Sequence, residues 1–316
     1  MVGKRTWRSL IYLSLRWVLV LTTGWLAACQ ATPAPAALAN PKPTVIATTT
    51  QLADVVSVIA GDRITVIGLV PRNGDPHAFE PTPDNVKQVA QSAAVFINGA
   101  GLEGWLEELV KNAGGERPIF DSSKNLSLGK INSSFAEGGE SDPHIWMNPV
   151  NMLTVVDNIV AGLQQIAPTD ATVFATNATA YKAQLQALDA WAEKELATVP
   201  PERRKLVTAH DALGYFAARY HYTIVGAVVP GVSTEAAETS AQDLGQLIQK
   251  IKQEGVPAIF AEASSNPKFV EQLGLETHVK VVTNLYIDSL GDKGGEAGTY
   301  LDFFRADVTK IVAALK

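Results

Sequence analysis

Two copies of one tripeptide hold two of the five histidines in this 316-residue chain. The copies are Asp75-Pro76-His77 and Asp142-Pro143-His144. Proline fixes its own φ at about −65° and keeps the preceding residue extended, so each histidine follows a stiff turn. A neutral imidazole presented by such a turn is a good ligand for a divalent transition metal. The repeat therefore indicates a metal site, and two unrelated loop histidines are the alternative interpretation.

Two further candidate ligands come from the second half of the chain. His210 closes one predicted strand and opens a helix, and Asp288 follows the last predicted strand. In open parallel sheets, the loops beyond the carboxyl ends of the strands form the ligand crevice. We therefore expect His77 and His144 from one lobe to face His210 and Asp288 from the other.

The elements that must position these residues alternate along the chain. The predicted strands are residues 45–50, 64–70, 94–98, 205–209, 223–228, 258–261 and 279–283. The predicted helices are residues 54–60, 85–91, 152–166, 212–220, 236–254, 268–275 and 300–315. Nearly continuous apolar strands separated by helices are typical of a parallel sheet covered on both faces. This pattern predicts an α/β fold with two lobes, each a mostly parallel sheet with flanking helices.

One long rigid backbone helix is predicted to join the lobes. The segment 169–199 has neither glycine nor proline, and Pro168 and Pro200-Pro201 mark its ends. At 1.5 Å per residue, such a helix would be about 45 Å long and would restrict hinge opening between the lobes. Two shorter helices with a break are the alternative.

The N-terminus has the layout of a secretory signal peptide, with basic residues, an apolar run and small residues ahead of Cys29. The sequence Leu26-Ala27-Ala28-Cys29 resembles the bacterial lipobox, in which the cysteine is lipidated. Cys29 is the only cysteine of the chain, which excludes an intramolecular disulfide. We expect an extracytoplasmic protein, lipid-anchored to the membrane in a periplasm or at a cell surface. An ordinary signal peptide that contains a cysteine is the alternative.

These features divide the chain into five expected segments. They are a lipoprotein signal peptide (1–29), an Ala/Pro-rich tether (30–43), an N-terminal α/β lobe (44–168), the linking helix (169–199) and a C-terminal α/β lobe (200–316). The formal net charge of −6 argues against a nucleic-acid partner, which would require a basic face. We expect the protein to be a monomer.

Six sequence segments together resemble the metal-specific solute-binding lipoproteins of bacterial ABC importers (cluster A-I). They are DPHAFEPTP, DPHIWMNP, TAHDALGYFAARY, PGVSTEAAETS, AIFAEASSNP and LYIDSLG. By position, the resemblance places the four metal ligands of that family on His77, His144, His210 and Asp288. It also implies two four-stranded lobes joined by a long helix, and an ABC permease of a metal importer as the partner.

The ligand set favours Zn²⁺ over Mn²⁺ as the transported ion. In the family that this chain resembles, the third ligand is His in many zinc-type members and Glu in many manganese-type members. Here it is His210, and three imidazoles with one carboxylate suit four-coordinate zinc, whereas manganese prefers oxygen-rich sites. One departure is the short segment SFAEGGESDPH, which lacks the His-rich loop that many zinc importers carry before the second ligand. Manganese is therefore the alternative.

Three carboxylates are candidates for holding the ligands in place. Asp75 and Asp142 each lie two residues before a histidine, where they orient an imidazole or cap a turn. Glu262 is a candidate from the family resemblance. We expect surface or packing roles for the remaining aromatic and histidine candidates, which are His221, His278, Trp105, Trp146 and Trp191.

A membrane-anchored zinc hydrolase is a remote alternative function. A catalytic zinc keeps an open position for water, and four protein ligands leave none. The chain also lacks an HExxH motif. We therefore expect a binding protein and not an enzyme.

Overall fold

A computed structural model of the protein describes residues 42–130, 141–229, 240–262 and 268–316. Residues 42–316 form one compact unit. The expected signal peptide with Cys29, almost all of the tether and nearly the whole PGVSTEAAETS segment lie outside the described residues. No helix within the described ranges is both long enough and apolar enough to cross a membrane.

The first half of the compact unit is a four-stranded sheet with helices. Its strands are β1 (Thr44–Ala47), β2 (Thr65–Gly68), β3 (Ala94–Ile97) and β4 (Ile119–Asp121). Its helices are α1 (Thr50–Ala60), α2 (Pro83–Gln91), α3 (Leu106–Ala113) and α4 (Pro149–Ile166). The strands are parallel, in the order β2-β1-β3-β4.

The second half repeats this architecture after helix α5 (Ala171–Leu196). Its strands are β5 (Lys205–His210), β6 (Thr223–Val229), β7 (Ala258–Glu262) and β8 (Lys280–Leu285). Its helices are α6 (Gly214–Tyr220), α7 (Ala241–Glu254), α8 (Lys268–Thr277) and α9 (Tyr300–Leu315). These strands are also parallel, in the order β6-β5-β7-β8. The predicted fold class, two four-stranded parallel sheets flanked by helices, is confirmed.

The start of α1 differs from the sequence prediction. The β-branched run 45–50 was expected to be extended throughout, but α1 begins at Thr50. The cause is Thr49, whose hydroxyl accepts a hydrogen bond from the backbone N–H of Leu52 at 3.2 Å and caps the helix. A threonine that caps a helix releases the chain from the sheet directly after β1.

Helix α5 is a single uninterrupted helix of 26 residues. Its length is about 39 Å at 1.5 Å per residue. It packs on α1, α4 and α9, so it contacts helices from both halves. One buried cluster contains side chains of α5 together with Trp146, Phe216 and Tyr300. The two lobes therefore share apolar packing as well as a linking helix.

Candidate metal centre

The four predicted ligands lie together where the two lobes meet. His77 is in the loop after β2, His144 directly precedes a 3₁₀ turn (Ile145–Met147), His210 ends β5, and Asp288 follows β8. One ligand atom from each residue lies within 4.8 Å of the ligand atoms of the other three. His144, His210 and Asp288 are buried, and the side chain of His77 is only 5% exposed.

The distances between these atoms have the scale of a four-coordinate site. Nε2 of His144 lies 3.2 Å from Nε2 of His77 and 3.1 Å from Nε2 of His210. Carboxylate oxygens of Asp288 lie 3.9, 3.7 and 3.4 Å from Nε2 of His77, His144 and His210, respectively. In a tetrahedron with metal–ligand distances of about 2.0–2.1 Å, ligand atoms are about 3.3–3.4 Å apart.

Carboxylates behind two of the histidines set the direction of their lone pairs. Nδ1 of His144 lies 2.8 Å from Oδ1 of Asp142, and Nδ1 of His210 lies 2.6 Å from Oε1 of Glu262. A neutral imidazole that donates Nδ1–H to a carboxylate keeps an unprotonated Nε2. Neither oxygen of Asp288 has a hydrogen-bond partner among the described residues. Three imidazole nitrogens and one carboxylate therefore converge on one buried point, where a metal cation can take the place of the remaining proton.

The two Asp-Pro-His tripeptides share one backbone hydrogen bond. In each, the aspartate accepts a hydrogen bond from the backbone N–H of the histidine, at 2.8 Å for Asp75 and 3.0 Å for Asp142. The same oxygen of Asp142 also reaches the ring of His144. Both sequence interpretations, a turn cap and an imidazole partner, thus describe Asp142.

Burial and charge shift the pKa values in the centre. Burial lowers the pKa of His144. Burial also lowers the pKa of His210, but the carboxylates of Glu262 and Asp288 outweigh it and raise that pKa to about 10. For Asp288, the nearby histidines outweigh the effect of burial and hold the pKa below its ordinary value. In the metal-free protein, the pair of His210 and Glu262 thus retains a proton that a metal ion must displace.

Trp146 links the two halves of the centre, a contact that the sequence did not predict. Its indole Nε1–H donates to the carbonyl oxygen of Ile287, next to Asp288, at 2.8 Å. Its ring packs edge-on against His144, with 5.3 Å between centroids. The hydroxyl of Tyr300 donates to the carbonyl oxygen of Trp146 at 2.7 Å. The two residues joined by the indole are 141 positions apart, so no local pattern indicates their contact.

A second set of hydrogen bonds ties the loop of His77 to the loop of Asp288. The guanidinium of Arg72 donates to the carbonyl oxygens of Gly291 and Gly298 at 2.5 and 2.9 Å. The backbone N–H of Asn73 donates to the carbonyl oxygen of Leu290 at 3.1 Å. Ligand-bearing loops from the two lobes are therefore bound to each other directly.

Similarity to known proteins extends over almost the whole compact unit. Residues 45–314 match the family described as ZnuA, zinc-uptake complex component A, periplasmic. The chain is 34% identical to the zinc-binding protein TroA of Treponema pallidum over 284 residues, covering 88% of this chain and 91% of that protein. It is 32% identical to the manganese-binding lipoprotein MntA of Bacillus subtilis over 277 residues, covering 86% and 89%.

The fold comparison agrees with the sequence comparison. A solved structure from a study of the metal-binding specificity of TroA superimposes with a TM-score of 0.79 at 32% sequence identity, covering 87% of this chain and 100% of that one. The family match, the names of the relatives and the converging His and Asp side chains all indicate a metal-binding transport protein. The chain belongs to the ZnuA family of substrate-binding proteins of metal ABC transporters.

Proposed function

We propose that this protein captures one Zn²⁺ ion between its lobes and delivers it to the permease of an ABC importer. The proposed ligands are Nε2 of His77, His144 and His210 and the carboxylate of Asp288. One observation carries the proposal. Three imidazole nitrogens and a buried carboxylate that has no hydrogen-bond partner converge within 4.8 Å of one another in the described part of the chain.

The donor set is the reason to place zinc ahead of manganese. Three nitrogen ligands and one oxygen ligand at tetrahedral spacing suit zinc, which has no preference for a higher coordination number. Manganese takes more oxygen ligands, usually in octahedral sites. Manganese remains the second candidate because a relative named for manganese binding is 32% identical to this chain.

The proposed function is binding and transfer, without catalysis. With four protein ligands, a bound zinc ion has no position left for the activated water of a hydrolase. The family is named for metal uptake, and relatives of this chain are named as substrate-binding components of transporters. We therefore assign to the four ligands the role of holding the ion until it is delivered to the permease.

The proposed cellular setting is extracytoplasmic, with a lipid anchor on Cys29. Relatives named as lipoproteins and the sequence Leu26-Ala27-Ala28-Cys29 support this anchor. The lobes are assigned to residues 44–168 and 200–316, with 169–199 as the link, and the chain acts as a monomer. Release of the ion then requires the permease to move the ligand pair of one lobe away from the pair of the other.

Equilibrium competition between zinc and manganese tests this proposal. The soluble chain from residue 30 is stripped of metal, dialysed against buffered free concentrations of each ion and analysed by mass spectrometry. We expect one zinc per chain, and a loss of orders of magnitude in affinity for Asp288→Ala and His210→Ala. The matched control is His278→Ala, which removes an exposed histidine and should bind as the wild type does. Selective retention of manganese would move the assignment to that ion, and normal binding by Asp288→Ala would refute the site.

A further inference from the structure

We propose that Gly214 and Tyr215, at the start of α6, are positioning residues that hold Asp142 and thereby aim His144 at the metal ion. This inference rests on the proposed function, because it assigns a role to residues behind a proposed ligand. Neither residue belongs to the converging ligand set.

Gly214 leaves the space that the carboxylate of Asp142 occupies. A Cβ atom built on Gly214 would lie 2.6 Å from Oδ2 of Asp142, which is closer than real Cβ atoms come to a neighbour. The φ angle of Gly214 is outside the left-handed region, so the backbone itself does not require glycine there. The close carboxylate, and not the backbone conformation, therefore disfavours a side chain at this position.

Displacing Oδ2 would misdirect His144, because the carboxylate is a rigid plane. The other oxygen of Asp142, Oδ1, is the one that accepts from Nδ1 of His144 at 2.8 Å and from its backbone N–H at 3.0 Å. A side chain on Gly214 pushes or rotates the whole group, so both hydrogen bonds lengthen. The imidazole then loses the partner that fixes its tautomer and its direction.

Tyr215 holds the backbone of the same aspartate. Its hydroxyl donates to the carbonyl oxygen of Asp142 at 2.9 Å and accepts from the backbone N–H of Gly129 at 3.0 Å. The N–H of Asp142 donates to the carbonyl oxygen of Gly129 at 2.9 Å. Asp142 is thus fixed from both sides of its backbone, with one of the two contacts coming from the other lobe.

The position of α6 explains why the contacts of Gly214 and Tyr215 with Asp142 affect metal binding. Helix α6 begins four residues after His210, which is itself a proposed ligand at the end of β5. The segment that follows His210 in the second lobe therefore helps to position His144 in the first lobe, through Asp142. The positions of His144 and His210 relative to each other are therefore fixed before an ion binds.

Alanine at Gly214 should disturb the site without unfolding the protein. Alanine favours a helix over glycine, so helix propensity alone predicts an unchanged or more stable fold for Gly214→Ala. A cavity of about 450 Å³, lined by Asp142, Gly214 and Tyr215 among others, gives the displaced carboxylate room to move. The matched control is Gly245→Ala in α7, where an added Cβ meets nothing within 4 Å.

The experiment measures zinc affinity by chelator competition and the visible spectrum of bound Co²⁺, on the soluble chain from residue 30. Gly214→Ala should lower zinc affinity by about ten-fold or more and change the Co²⁺ spectrum, while the Tm of the metal-free protein does not fall. Tyr215→Phe, which keeps the ring and removes both hydrogen bonds, should act in the same direction. Gly245→Ala should match the wild type in affinity and in spectrum.

A double-mutant cycle identifies the route of the effect. In the background of Asp142→Ala there is no carboxylate to displace, so Gly214→Ala should change affinity by less than about two-fold. An equal loss in both backgrounds, or normal affinity for Gly214→Ala and Tyr215→Phe, would overturn the inference. His144→Ala is the reference variant, and normal zinc affinity of this variant would refute the proposed function. If His144→Ala binds zinc weakly while Gly214→Ala binds it normally, only the positioning role of Gly214 is refuted.

Discussion

Replacing Asp307 with asparagine should stabilise the protein at pH 8 and lose that advantage as the pH falls. Asp307 lies on α9 and is 2% exposed. Its Oδ1 accepts from the backbone N–H of Tyr286 at 2.9 Å, and its Oδ2 has no hydrogen-bond partner among the residues described. Burial raises the pKa of this carboxyl from 3.8 to about 7.

The magnitude follows from linkage between protonation and folding. A carboxyl with a raised folded-state pKa adds stability that is fully present below the unfolded pKa, is lost as pH rises, and reaches its minimum above the folded pKa. With pKa values of 3.8 and about 7, the total loss is about 4 kcal/mol, and the part between pH 5 and pH 8 is about 2–3 kcal/mol. Asparagine keeps the oxygen that accepts from Tyr286 and carries no charge. It adds a buried N–H₂ group that costs about 1–3 kcal/mol at every pH.

Urea unfolding of the metal-free chain and of Asp307→Asn, from pH 5 to pH 8, measures this effect. The difference in unfolding free energy should shift by about 2–3 kcal/mol in favour of the variant across that range. The matched control is Asp62→Asn, since the side chain of Asp62 is 75% exposed. The control removes an exposed charge and should change the unfolding free energy by less than about 0.5 kcal/mol. A difference for Asp307→Asn that does not change between pH 5 and pH 8 would show that this buried carboxyl is charged at no cost, and would refute the reasoning.

Three further substitutions have expected outcomes. His221 is exposed and ends α6 with φ 59° and ψ 46°, so His221→Gly should relieve left-handed strain, raise the unfolding free energy by about 0.5–1 kcal/mol in urea titrations, and leave zinc affinity unchanged. Trp146→Phe removes the donor to the carbonyl oxygen of Ile287 and should speed zinc dissociation in stopped-flow chelation. An unchanged dissociation rate would show that this hydrogen bond does not help to retain the ion. Glu262→Gln keeps a hydrogen-bond acceptor for His210 without its charge. Calorimetry in buffers of different ionisation enthalpy should show fewer protons released per zinc and an affinity about 10–100-fold weaker, whereas unchanged proton release would contradict the pKa assignment.

The fold could be predicted from the sequence where elements are long or apolar. The fully buried strand β7 (Ala258–Glu262) and the glycine-free helix α5 have strong local patterns. Strand β4 (Ile119–Asp121) was not predicted from the residues, because it is three residues long and partly exposed, so it has no apolar run. Its pairing with β3 depends on the sheet edge that β3 offers, which is a tertiary effect.

The candidate site divides in the same way. The Asp-Pro-His repeats are local, so the sequence alone indicated His77 and His144 as metal ligands. The hydrogen bond from Trp146 to Ile287 and the contact of Gly214 with Asp142 join residues that are distant in the sequence. Such contacts depend on how the lobes pack, and composition or spacing carries no trace of them. In the sequence, Gly214 is only a glycine near a predicted helix, and its contact with the carboxylate of Asp142 becomes visible only in the structure.

Anomalous diffraction at the zinc edge tests most directly whether one zinc ion sits among these four side chains. Crystals of the zinc-loaded soluble chain should show one strong anomalous peak with four protein ligands at about 2.0–2.2 Å. Those ligands should be Nε2 of His77, His144 and His210 and a carboxylate oxygen of Asp288. A peak elsewhere, or a bound zinc without all three imidazoles, would contradict the account.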